Sequence, residues 1–179
     1  MSESRSLRRP HFFSGMLLTA EDLELEQQYH REKLKRHNRS LHGFGIVSGL
    51  KVTVKSRQII IEPGLALDCE GNELVIETPQ PVLVPASSDQ RNLFVNVRFV
   101  ELDDDPLPTN GSEEGCSVGA TLTESFELVV AEENCNRGHR HLRARWLACG
   151  RSHALTLAKL RHSSQGWRVD RAYRPPHIK

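Results

Sequence analysis

The chain has 179 residues, 37% hydrophobic and 26% charged, a length that holds one domain, or one domain with a projecting element, and argues against two independent catalytic domains. With 24 Lys plus Arg against 23 Asp plus Glu, the formal net charge of +1 gives no global electrostatic case for nucleic acid or an anionic membrane. The N-terminus has no apolar signal core and no run approaches the ~18 apolar residues of a membrane helix, so the chain reads as made in the cytoplasm without membrane insertion.

Residues 1–49 read as an arm and one long helix, and residues 50–179 as a β-rich body. The first residues are polar and basic. Phe12 and Phe13, the Ser14-Gly15 turn and Met16 to Leu18 then make a poor solvent-exposed tail, so the arm is expected to dock on its own β body or on a neighbouring subunit. Thr19 has the character of an N-cap, with Glu21 and Asp22 at the positive end of the helix dipole and Leu18 and Leu23 placed for a hydrophobic staple. Acidic residues come early in the helix and Arg31, Lys33, Lys35, Arg36 and Arg39 late, as the macrodipole favours, and Gly43 is a natural stop.

A 4-3-4-3-4 spacing picks out Leu23, Gln27, His30, Leu34, His37 and Leu41, a heptad-like stripe in which only the leucines are apolar. One reading lays this face on the β body, with Leu25 and Tyr29 in a neighbouring pocket. The other is self-association about a symmetry axis, with Gln27, His30 and His37 setting the register. At the helix exit, Asn38 and His42 are i,i+4 neighbours that, with His37, are expected to tie the helix end to the following turn. Spacings of seven and five do not put His30, His37 and His42 on one face as a metal site would require. Gly43, Gly45 and Gly49 indicate tight turns or close backbone approach.

Alternation from Leu50 to Val54 and from Gln58 to Glu62 predicts a hairpin, and Leu65–Asp68 with Asn72–Glu77 predicts a second about Cys69-Glu70-Gly71. Thr78 to Ser88 reads as an extended, Pro-containing connection. Leu93 to Leu102 has the strongest strand pattern and should be central, pairing with Thr121–Val130 across an acidic loop near 102–120. Strands at Ala154–Leu160 and from Trp167 follow, and the tail should be irregular. The expected fold is α+β: one long N-terminal helix with a compact antiparallel β-rich body, a sandwich or partly open barrel.

Four irregularly spaced cysteines favour thiols or a metal site over a disulfide framework. Near 134–149, Cys135, His139, His141 and Cys149, with Cys116 upstream, supply the donor types of a tetrahedral structural zinc site. They lack a CxxC pair, and a polar loop with incidental thiols is the plainer alternative. GxSxG, GxxxxGK[ST], HExxH and GxGxxG are all absent, which points away from an enzyme.

The stretch RPHFFSGMLLTAEDLELEQQYHREKLKRHNRSLHGFGIVSGLKV, followed by IIIEPGLALDCEGNELVI, resembles a family of small proteins associated with phage-tail-like contractile injection systems. The resemblance is close from Arg9 to Ile76; ESFELVV at Glu124–Val130 and LTLAKL at Leu155–Leu160 match later strands more loosely. Histidines stand in the 134–149 segment where that family often carries more cysteines. The resemblance implies a structural or adaptor subunit near the baseplate, fibres or cap of a tail-like particle that can be released from the cell, with no enzymatic activity. It implies other particle subunits as partners and a homo-oligomer, a trimer among the options. The assembly residues would be Phe12, Phe13, Leu23, His30, Leu34, His37, Asn38, Leu41 and His42. A stand-alone metal- or ligand-binding β domain is the alternative.

Overall fold

A computed structural model describes residues 6–55, 57–85, 91–106, 119–137 and 153–178. Helix α1 spans Ala20–His37. It begins where expected: the Asp22 N–H donates to Thr19 Oγ1 at 3.3 Å and the Thr19 N–H to Asp22 Oδ2 at 3.2 Å, a reciprocal capping box. It ends differently. The α-helical spacing stops at His37, and Asn38–His42 form one wider π turn, closed by the Gly43 N–H on Asn38 O at 3.0 Å. Gly43, at φ 84°, then releases the chain.

The body is antiparallel. Strands β1 (Gly45–Gly49), β4 (Gly64–Leu67) and β5 (Glu73–Ile76) form one sheet in the order β1-β4-β5. Strands β2 (Val52–Lys55), β3 (Gln58–Ile61) and β6 (Gln80–Leu83) form a second, in the order β2-β3-β6. Both predicted hairpins are present. Strand character, however, begins at Gly45 rather than near Leu50, and the Pro-containing connection supplies β6. Pro81 is tolerated there because β6 is an edge strand, paired on one side only.

The two small sheets are continuous through a corner. Leu50 N–H donates to Pro63 O at 3.1 Å and Glu62 N–H to Lys51 O at 2.9 Å, so β1–β2 and β3–β4 run as two bent strands side by side. The bend needs Gly64, where a Cβ would lie 2.3 Å from Ser48 O. Strands that turn from one sheet into another at such a bend make the corners of orthogonally packed β structures. Leu50 is held there at φ 55°, an unusual conformation for a bulky residue, and its side chain is fully buried.

The third sheet has the order β10-β9-β7-β8, from β7 (Asn92–Pro106), β8 (Gly119–Ala131), β9 (Ala154–Ser163) and β10 (Gly166–Val169). As expected, β7 is interior, with Leu93, Val95 and Val97 buried. It is longer than the sequence suggested: the pairs Asp103↔Leu122, Asp104↔Thr121 and Pro106↔Gly119 take residues assigned to the acidic loop into the sheet, and residues 107–118 lie outside the described residues. The tail is also more ordered than expected. His177 bridges Ile46 in parallel, with Ile46 N–H on Pro176 O at 2.8 Å and Ile178 N–H on Ile46 O at 2.9 Å, covering the open side of β1.

One core joins the three sheets, built on Ile46, Ile59, Ile61, Leu74, Ile76, Val95, Val97, Leu155 and Leu160. α1 contributes no buried residue to it. The α+β expectation holds, with the helix outside the hydrophobic centre.

Candidate functional site

The helix is seated through its C-terminal end. In the β4–β5 turn, the buried Asp68 carboxylate accepts the Glu70 N–H at 2.8 Å, the Asn72 N–H at 2.9 Å and Asn72 Nδ2 at 2.7 Å, while its carbonyl accepts the Gly71 N–H at 3.1 Å. These bonds hold the turn's remaining carbonyls outward. Asn38 Nδ2 donates to Gly71 O at 3.0 Å and Arg39 Nη1 to Glu70 O, and both side chains are buried. Gly71, at φ 90°, lies so close to the helix that a Cβ would fall 2.2 Å from Lys35 O. The HNRSLHGFG exit and the DCEGNEL turn therefore fit each other directly. The π turn accompanies this fit, since its widened last turn brings Asn38 and Arg39 onto the body.

Along the shaft, contact with the body is light. Arg31 pairs with Glu101 on β7, the Lys35 ammonium lies 5.9 Å from the Phe99 ring centroid, and Leu25, Tyr29, Glu32 and Lys35 are half-buried. The opposite face carries the heptad-like stripe. All six of its positions, Leu23, Gln27, His30, Leu34, His37 and Leu41, are exposed. The reading that lays this stripe on the β body is therefore corrected: the stripe is exposed, and the side of α1 that carries Leu25 and Tyr29 is the half-buried one.

The arm does not dock on its own body either. Phe13 is 69% exposed, Leu17 85% and Leu18 51%, with Phe12 also exposed and the chain turning through Gly15. Arm and stripe leave Phe12, Phe13, Leu17, Leu18, Leu23, Leu34 and Leu41 without burial in the described chain.

The histidines are local. His30 Nε2 lies 2.9 Å from Glu26 Oε1, and the His37 and His42 rings meet edge to face at 5.5 Å. Asn38 and His42 do not act together: Asn38 turns into the body and His42 stays exposed, because the carbonyls Asn38 can reach are on the β4–β5 turn. Among the described residues, no three His, Cys, Asp or Glu side chains are arranged to hold a metal ion. Of the sequence's candidate zinc ligands, Cys116, His139, His141 and Cys149 lie outside the described residues. Cys135 is half-buried, its N–H donating to Thr156 Oγ1 at 2.9 Å, and burial with the nearby Glu133 carboxylate pushes its thiol above the ordinary range.

Sequence reasoning missed Arg39 and Gly71 as elements of the seat, having assigned Arg39 to the helix dipole. The available signal was that both fall inside the two stretches that carry the resemblance.

No protein-family model matches the chain, and no curated protein matches it. Solved structures do. One chain of a TssK–TssF–TssG baseplate subcomplex of the type VI secretion system superimposes with a TM-score of 0.57 at 15% identity, covering 96% of this chain and 62% of that one. The fold is shared with type VI secretion baseplate proteins. A crystal structure of TssK matches with a TM-score of 0.54 at 13% identity, over 96% of this chain and 43% of that one. A chain of the baseplate complex from the type VI secretion system gives 0.54 at 14%, over 96% and 60%. The chain thus spans less than two thirds of the structures it matches, and at these identities the likeness is one of fold.

Proposed function

We propose that this chain is a structural or adaptor subunit of a phage-tail-like contractile injection particle, in its baseplate region, acting through protein–protein assembly and without catalysis. The observation that carries this reading is the exposed stripe of α1, continued by the aromatic arm, on a helix with no buried residue. A helix of this length gains most of its stability in water from packing an apolar face. Here the leucines of the stripe, Leu23, Leu34 and Leu41, are exposed, so their partner is another chain. The shared fold with type VI baseplate proteins supports a place in such a particle, and their presence in multi-subunit complexes supports other particle subunits as partners. The subunit is made in the cytoplasm and functions in the assembled particle, which can leave the cell. Copies of this chain pack α1 against α1 about a symmetry axis, a trimer being one such arrangement, with Gln27, His30 and His37 setting the register.

Leu34→Asp tests the surface. Because Leu34 is 53% exposed, the substitution is expected to leave the subunit's own stability within about 0.5 kcal/mol while abolishing self-association in sedimentation and weakening co-purification with particle subunits. Glu24→Ala, at another exposed position of the helix, should change neither. Equal and negligible effects of the two on oligomer mass and on partner capture would remove the proposal.

A further inference from the structure

A second surface, with no residue of α1 in it, lies beside the corner at Leu50. It is a groove of about 390 Å³ between the β1–β2 bend and the tail, where β2 lies beside β10. That volume falls within the roughly 300–1,000 Å³ of clefts that hold ligands. Buried Leu50, Leu157 and Ala158, with half-buried Val52 and Val169, give the groove an apolar floor. Its rim is exposed and basic, with Lys51 on one wall and Arg171 and Arg174 on the other.

The charge of that rim is not answered within the described residues. Asp170 is the one carboxylate of the lining among them, and it is already held: Arg161 Nε lies 2.7 Å and Lys159 Nζ 3.8 Å from its Oδ2, while Oδ1 accepts the Ala172 N–H at 3.0 Å. Arg174 Nη1 donates to the uncharged carbonyls of Arg171 and Tyr173. Among the described residues, Lys51, Arg171 and Arg174 form no ion pair. Three such cations around an apolar floor are complementary to an occupant that joins carboxylates to aliphatic side chains. The strand edges select a peptide: among the described residues β2 and β10 are each paired on one side only, so backbone N–H and C=O groups border the groove as they do where an extended segment adds to a sheet. A nucleic acid would need open ring faces for its bases, and the half-buried Tyr173 ring already packs against Phe94 at 6.1 Å.

We propose that this groove is a docking site for an extended acidic segment of another protein, one in which aspartate or glutamate alternates with aliphatic residues. The aliphatic side chains enter over Leu50 and Leu157, and the carboxylates meet Lys51, Arg171 and Arg174. Alternation supplies both at once, since successive side chains of an extended chain point to opposite sides. The groove shares no residue with the stripe of α1, so the two surfaces are occupied and tested separately.

The test titrates the full chain into a short fluorescein-labelled peptide that alternates aspartate and valine, and reads fluorescence anisotropy. Saturable binding is expected, weaker by about tenfold or more when lysine replaces aspartate in the peptide or serine replaces valine. Arg171→Glu combined with Arg174→Glu should weaken it about tenfold or more and Lys51→Glu severalfold, with native circular dichroism. Arg168→Glu makes the same charge change as Lys51→Glu outside the groove and should leave binding in place. Leu34→Asp should leave it in place too, whatever that substitution does to self-association. Absence of saturable binding would overturn the proposal. So would equal binding of the lysine peptide, charge reversals without effect, or a labelled oligothymidylate bound as tightly as the acidic peptide. Peptide binding seen only in Leu34→Asp would also overturn it, because a second copy of the chain then fills the groove.

Discussion

Gly71 carries two constraints at once: a left-handed backbone at φ 90°, and the Lys35 carbonyl 2.2 Å from where a Cβ would stand. The obstructing atoms are backbone and not the movable end of a side chain, so a methyl group there has to separate helix from turn. Gly71→Ala is expected to cost about 3 kcal/mol in urea unfolding and to lower helical circular dichroism, since the bonds of Asn38 and Arg39 go with the seat. Gly15 has a similar φ of 85°, but a Cβ there would meet no atom within 4 Å. Gly15→Ala therefore strains only the exposed arm, by about 1 kcal/mol locally, and leaves the global unfolding midpoint in place. A midpoint that responds equally to both substitutions would show that the turn is not the helix's support.

At the scale of the element, α1 is set by local chemistry at its start and by the body at its end. Thr19→Ala removes the cap and should cost about 1 kcal/mol, seen as faster amide exchange in the first turn. Glu21 reports on the same end: backbone N–H donation and then Thr19 hold its carboxyl below the ordinary carboxylate range. Its stabilisation of the helix is therefore full above the unfolded-state value and is lost as pH falls through the lower folded one. An NMR titration is expected to place Glu21 below a peptide glutamate in the intact chain and to move it back upward in Thr19→Ala. A Glu21 titration indifferent to Thr19 would mean the cap does not reach it.

Across the whole molecule, the tail closes what the sheets leave open. β1 is an edge of its sheet, and the Pro176–Ile178 segment satisfies Ile46 on that side. Tyr173 joins the same closure: its hydroxyl accepts from Asn136 Nδ2 at 2.9 Å, and Asn136 in turn bonds both the N–H and the carbonyl of Thr156 on β9. Ending the chain after Asp170 removes the two backbone bonds to Ile46 and the Tyr173–Asn136 bond, each worth about 1 kcal/mol, and is expected to destabilise the body by about 3 kcal/mol and to promote aggregation through the bared β1 edge. Unchanged unfolding of the shortened chain would show the tail to be an accessory strand.

The residue pattern by itself determined the elements whose signals are local. Thr19 marked the helix start, the alternation in Leu50–Glu62 and Leu65–Glu77 marked two hairpins, and the apolar run at Leu93 marked an interior strand, because capping and period-two burial act over a few residues. The same text left open which face of α1 meets the body, since an interrupted apolar stripe is compatible with either side. Tertiary structure decided that, by placing Glu101 and Phe99 opposite Arg31 and Lys35 and leaving Leu23, Leu34 and Leu41 exposed. It also decided what Gly64 and Gly71 are for, and it alone brought His153 to Cys69 from 84 residues away. Such choices depend on where distant backbone atoms arrive when three sheets close on one core, and no spacing along the chain encodes them in a form that can be read before folding.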